Sequence, residues 1–369
     1  MPLAAGALIR TWLLVGADTR RGSRAAAPSW LTGCPLPLLG YISGMPLDIK
    51  ARKPAWLKVR APSGERYTWI KEQRKTLELS TVCEEAACPN IGECWSGGTA
   101  TFMVMGSICT RGCRFCNVNT NRNGLPLDPE EPAKLGRTIA AMDLDYIVIT
   151  SVDRDDLPDQ GAQHFADCVR AVKAHSPKTK VEILFPDFRG DKELVARCVT
   201  SGAEVLAHNI EVTRALTKKV RDGRCGYDQS LSVLQTIKEV DPSAFSKSSI
   251  MVGLGEPEED VVETMRDLRA VGVDFLTIGQ YLRPSKKHIA LEEFVHPDQF
   301  AAYERIGREL GFLYVASGPL VRSSYKAGEF FISNLLDAKS RGETWTPAPA
   351  PEAPPGHSDA ARRRLRVLG

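Results

Sequence analysis

The chain has 369 residues, 43% hydrophobic and 25% charged, which suits a globular fold of one large or two ordinary domains and excludes a disordered chain. Its net charge of +3 sits at the ends: residues 1–44 carry four arginines against Asp18, residues 338–369 carry six basic side chains against three acidic ones, and the body between them is mildly acidic. Such a body lacks the basic footprint of a nucleic-acid partner, and no run of 18 apolar residues offers a membrane span.

Residues 1–44 are rich in Ala, Leu, Gly and Pro. That composition fits a transit peptide or a start placed upstream of the true initiator, Met45, and the second reading is preferred. Residues 45–98 form a separate N-terminal segment that carries Cys83, Cys88 and Cys94. From 99 onward, apolar β-branched runs alternate with helical periodicity. The runs are TATFMVMG, DYIVITS, KVEILFP, EVLAHNIE, SSIMVGLG, DFLTIGQYL and FLYVAS. Helical segments between them include EPAKLGRTIAAM, QHFADCVRAVKAH, DQSLSVLQTIKEV, EEDVVETMRDLRAVG and PDQFAAYERIGREL. Continuous apolar strands separated by helices predict a parallel sheet built from βαβ units. Six or seven repeats predict a partial TIM-like (β/α) barrel over 99–319, with its chemistry at the C-terminal ends of the strands. A closing segment follows at 320–337. The tail 338–369, with five prolines between 347 and 355, is expected to be disordered.

Ten cysteines in a chain of this length do not read as a disulfide scaffold, because six of them cluster at metal-like spacing. Cys109, Cys113 and Cys116 form C-x3-C-x2-C directly after the first barrel strand, and Cys83, Cys88 and Cys94 form C-x4-C-x5-C upstream. Thiolates are the usual ligands of iron–sulfur clusters, and three of them leave one iron of a cubane open to a small molecule. A zinc knuckle is the weaker alternative, since structural zinc takes four protein ligands. Cys34, Cys168, Cys198 and Cys225 show no cluster spacing, and Cys168 and Cys198 fall on helices as buried apolar residues. GLGEPE lacks the last glycine of a dinucleotide fingerprint, so a nucleotide-binding loop there is rejected. His208 reads as a core histidine.

The CTRGCRFC loop resembles the radical S-adenosylmethionine (SAM) enzymes. ACPNIGECW, GTATFM, TSVDRDDLPD, PDFRGD, AHNIE, KVRD, GLGE, GQYLRP and SGPLVRSSYKAGE are similar to the lipoyl synthase family, over roughly 46–336. Gln160 departs from the glycine that family places after LPD. The resemblance implies two [4Fe–4S] clusters. One, on Cys109, Cys113 and Cys116, binds SAM and reduces it to a 5′-deoxyadenosyl radical, with Phe115 near the adenine. Polar groups at the fourth strand, Asn209, Glu211 and Arg221, are expected at SAM's ribose and carboxylate, and residues 153–156 are expected to face the same site. The auxiliary cluster, on Cys83, Cys88, Cys94 and Ser324 of the Arg-Ser-Ser-Tyr motif, is implied as the donor of two sulfurs to carbons 6 and 8 of a protein-bound octanoyl-lysine. Implied partners are octanoylated carriers (glycine-cleavage H protein and lipoyl domains of 2-oxoacid dehydrogenases), a ferredoxin or flavodoxin reductant and an iron–sulfur carrier that reloads the spent cluster. Other sulfur-inserting radical SAM enzymes and a two-cluster electron carrier are the competing functions. The expected compartment is a bacterial cytoplasm, with a mitochondrial matrix as the alternative.

Overall fold

A computed structural model describes residues 53–59, 61–76, 80–85, 88–96, 100–324, 334–339 and 341. The 1–44 extension, Cys34 and most of the C-terminal tail lie outside these residues.

Seven parallel strands form the sheet, in sequence order: β1 (Thr101–Val104), β2 (Tyr146–Ser151), β3 (Lys180–Leu184), β4 (Val205–Ala207), β5 (Phe245–Val252), β6 (Phe275–Gln280) and β7 (Tyr314–Gly318). A short eighth strand, Ser80–Thr81, pairs antiparallel with β1 at one edge, and no pairing joins β7 back to β1. The expected partial barrel is therefore the observed one. Most strands are shorter than their apolar runs: the run ending at Glu211 pairs as a strand only to Ala207. Helices α1 (Glu131–Met142), α2 (Ala162–His175), α3 (Lys192–Val199), α4 (Arg214–Val220), α5 (Tyr227–Val240), α6 (Glu258–Ala270) and α7 (Pro297–Glu309) fill the crossovers.

Strand alternation assigns two faces. Ile147, Ile149, Val181, Ile183, Leu206, Ile250, Leu276 and Ile278 point to the helices and are fully buried in the main core. Cys168 of α2 and Cys198 of α3 are buried in that layer, as expected of them. The opposite face is stacked in layers. Tyr146, Val148, Val205 and Phe275 pack at its base against Leu336. In register with Val148, Val205 and Phe275 lies a charged pair that continuous apolar runs do not announce. Lys247 of β5 bonds both carboxylate oxygens of Glu182 of β3, at 2.8 and 2.9 Å, and Tyr146 donates its hydroxyl to the same carboxylate at 2.7 Å. Both charged side chains are buried.

The expected tail boundary at 338 falls inside a packed contact. Ala338 is buried, Lys339 bonds the Ser243 carbonyl and lies over the Phe245 ring, and Asp337 pairs with Lys180. Leu336 draws these residues in, because the barrel base would otherwise expose an apolar layer. Among the described residues, no helix is long and apolar enough to cross a membrane.

Candidate active site

One cavity of about 620 Å³ opens over the C-terminal ends of the strands. Its floor is the top inward layer of the sheet: Met103, Thr150, Leu184, Ser249 and Gly279. All eleven residues singled out in the sequence line it, so both cysteine triads, Phe115, Asn209, Glu211, Arg221 and Ser324 share one chamber.

The Cys109–Cys116 loop leaves β1 through Met105 and Gly106, both at positive φ. Arg111 anchors it. The guanidinium is buried, binds both oxygens of Asp155 at 2.8 and 2.9 Å, and reaches Asp187 at 2.7 Å. Asp155 is partly buried, yet Arg111 and Arg189 hold its carboxyl down to about 2. Backbone amides meet the thiols: Arg111 N donates to Cys109 Sγ at 3.4 Å and Asp222 N to Cys113 Sγ at 3.3 Å. Burial, and then the Asp153 carboxylate, push the Cys109 thiol up to about 12. A hydrogen bond with Cys225 and burial push the Cys113 thiol up as well, and burial pushes Cys116 up. Phe115 turns its ring to Val212, Val220, Tyr281 and Ile289 at the cavity wall.

The second triad is carried by short helices, Val82–Glu85 with Cys83 and Ile91–Ser96 with Cys94. Cys88 sits between them, its amide bonded to the Cys83 carbonyl at 3.0 Å. Burial pushes the Cys83 thiol up to about 11. Trp95, fully buried and 5.3 Å from the Tyr67 ring, fixes this segment to the helix Glu65–Thr76. Two bonds tie it to the rest of the site. Asn117 donates to the Glu85 carbonyl at 2.8 Å, and Asn90 donates to the Leu320 carbonyl at 2.6 Å. The second bond draws the chain carrying Ser324 against the triad. Gly279 makes room for that chain, because a Cβ there would collide with the Val321 carbonyl.

The structure corrects two placements. Arg221 caps α4 and does not follow the fourth strand; its guanidinium returns to Ser230 Oγ at 2.8 Å. Of residues 153–156, only Asp153 lines the cavity; Arg154 turns away to pair with Asp156. Burial raises the Asp153 carboxyl to about 6 against the pull of Arg111. His208 is a core histidine in its bonds, to the Phe185 carbonyl and Ser230 Oγ, both at 3.0 Å, although its edge reaches the cavity. Burial lowers it to about 4. Gln160 adopts φ +49°, a left-handed conformation that glycine takes without strain, and its amide donates to the Phe188 carbonyl. Glu211 is also left-handed, at φ +69°, held between the Ser249 carbonyl and the Met251 amide. Sequence spacing gave no sign of Cys225, which the fold brings to Cys113 from more than a hundred residues away. It gave none of Arg111 either, whose place among carboxylates from two loops is purely tertiary.

The residues suit an iron–sulfur cluster with a polar ligand. Buried thiols raised this far stay protonated unless cationic metal is near them, and thiolate is the form that binds iron. Arg221 Nε, Asp187 Oδ2 and Ser151 Oγ are buried without a hydrogen-bond partner among the described residues, and all three residues line the cavity. Natural proteins seldom leave such atoms orphaned, so they mark places for a polar ligand.

Residues 103–268 match the radical SAM superfamily, and residues 46–88 match the N-terminal domain of lipoyl synthase of that family. The mitochondrial lipoyl synthase of Aedes aegypti is 57% identical over 80% of this chain and 76% of its own length. That of Rattus norvegicus is 56% identical over 78% of each chain. The lipoyl synthase of Anaeromyxobacter sp. (strain Fw109-5) is 56% identical over 79% of this chain and 99% of its own.

Proposed function

We infer the chemistry of the cavity from one premise: the chain belongs to the lipoyl synthases, enzymes of the radical SAM superfamily. A [4Fe–4S] cluster and SAM come with that superfamily. We propose that Cys109, Cys113 and Cys116 hold this cluster, that Cys83, Cys88, Cys94 and Ser324 hold a second one, and that the substrate is an octanoyl-lysine on a carrier protein. The observation that carries the reading is the meeting of both triads and Ser324 in one chamber.

When bound, the first cluster and SAM supply the one-electron chemistry that opens unactivated C–H bonds, and the second cluster supplies sulfur. The chain's own residues place and protect that chemistry. Arg111, clamped by Asp155 and Asp187, fixes the loop of the first triad. Arg221 and Asn209 offer donors to the carboxylate and ribose of SAM, and Phe115 offers an apolar wall to the adenine. Val82, Met103, Val118, Val152 and Val321 give an eight-carbon chain an apolar path between the triads, where water would quench a radical. Ser324, on the segment tied to the second triad through Asn90 and Leu320, would give that cluster an oxygen ligand, a harder and more readily released donor than a thiolate.

The partners follow from the same chemistry: lipoyl domains or a glycine-cleavage H protein as octanoylated carrier, a ferredoxin or flavodoxin as reductant, and an iron–sulfur carrier to rebuild the spent cluster. Relatives named from mitochondria and from bacteria share this core, and both settings are reducing, as free cysteines require. Anaerobic turnover of an octanoyl-lysyl peptide with SAM and dithionite, followed by mass spectrometry, tests the reading. A product with two added sulfurs is expected. SAM cleavage without sulfur in the peptide would reject the substrate, and neither SAM cleavage nor product would reject the whole assignment.

A further inference from the structure

The chamber holds a seventh thiol that neither triad uses. Cys225 lies in the turn after α4 and lines the same chamber as Cys113; Arg111 Nη1 donates to its sulfur at 3.4 Å, and Asp222 of the same turn donates its amide to Cys113 Sγ at 3.3 Å. The turn is knitted to the cluster loop on both sides. Gly112 N donates to Asp222 Oδ2 at 2.8 Å, Asp222 N donates to Cys113 Sγ, and Arg224 donates to the Thr110 carbonyl at 2.7 Å. Within the turn, Cys225 N donates to the Asp222 carbonyl at 2.9 Å. Cys225 is thus fixed against one particular ligand cysteine, whereas Cys168 and Cys198 are sealed in the helical layer.

We propose that Cys113 and Cys225 close into a disulfide when the chain is without its first cluster and meets a disulfide oxidant, and that this bond blocks cluster loading until it is reduced. With oxidised glutathione, one thiol attacks the oxidant's S–S bond and releases one glutathione. The second thiol then attacks the mixed disulfide and releases the other. The protein loses two protons and two electrons, and one glutathione disulfide becomes two thiols. The bond removes one of three thiolates, and two do not hold a site-differentiated cubane. It also keeps Cys113 from the irreversible oxidation states that an exposed thiol reaches. The consequence for loading rests on Cys113 as a cluster ligand; the thiol pairing itself does not.

Trypsin makes the test specific. It cuts after Arg111, Arg114 and Arg224, so Cys109, Cys113, Cys116 and Cys225 leave on four different peptides. The full-length chain is stripped of iron anaerobically, checked for retained fold by circular dichroism, treated with oxidised glutathione, alkylated and digested without reductant. Gly112–Arg114 joined to Cys225–Lys238 is expected as the dominant cross-link, and dithiothreitol should restore about four irons of uptake per chain. In Cys225→Ser that cross-link is absent and Cys113 carries glutathione or the alkyl label. The same oxidation of the cluster-loaded chain should give the cross-link only in step with iron release. Cys113 joined mainly to Cys109 or Cys116, or Cys225 recovered alkylated beside oxidised neighbours, overturns the proposal. A cross-link formed with all iron retained instead overturns Cys113 as a ligand.

Discussion

Lys247→Met should cost this protein more stability than any substitution of similar size on its surface. The ammonium bonds both oxygens of Glu182, and both side chains are almost completely shielded, at 3% and 1% exposure. Removing one partner of a buried pair leaves a charge without compensation, at about 3–5 kcal/mol. The Tyr146 hydroxyl stays on Glu182 and retains part of that, since a hydrogen bond to a charged group contributes about 1.5–3 kcal/mol. A net loss of roughly 1–3 kcal/mol is therefore expected. Glu182→Leu with Lys247→Met removes both charges and should recover most of the loss, because apolar replacement of buried pairs is often neutral or stabilising. The assay is anaerobic urea unfolding followed by tryptophan fluorescence on the four members of the cycle. A single-variant loss below about 1 kcal/mol, typical of an exposed pair, would refute the reasoning by showing that water reaches the barrel interior.

Cys113→Ala should abolish SAM cleavage, whereas the triple replacement of Cys83, Cys88 and Cys94 by Ala should leave about four irons and SAM cleavage but no sulfur transfer, read as 5′-deoxyadenosine against lipoyl peptide. Ser324→Ala should resemble the triple variant in products; normal yields of both products would reduce Ser324 to a loop hydroxyl. Gly279→Ala sets a methyl against the Val321 carbonyl, so it should displace the Ser324 segment and depress sulfur transfer more than SAM cleavage. His208 is held neutral by burial, with its proton affinity lowered from 6.5 to about 4. The unfolded chain therefore binds the extra proton first, and stability should fall between pH 6.5 and 4 by roughly 3 kcal/mol, a slope that His208→Gln removes. Leu336→Ala opens the barrel base and should lower stability by about 2–5 kcal/mol, measured as a shift in unfolding midpoint.

Local pattern alone determined the alternation of strands and helices, because burial on both faces forces continuous apolar runs on parallel strands and 3.6-residue periodicity on the helices that cover them. α1 begins and ends where its periodicity does, at Glu131 and Met142. The two triads were legible for a similar reason: thiols close together in sequence leave a spacing that composition does not hide. Ser324 was legible only through its motif, since a lone serine has no spacing. The tertiary structure decided the rest. Arg221 reaches the cavity from the end of a helix, and periodicity says where a helix lies but not where its last side chain returns. Glu182 and Lys247 sit 65 residues apart, as ordinary polar interruptions of strands, until the closing of the sheet brings them together. Cys225 has no partner within its own stretch of chain. Only the packing of α4 against the cluster loop places it on Cys113, because contact between distant residues is set by the whole core and not by either segment.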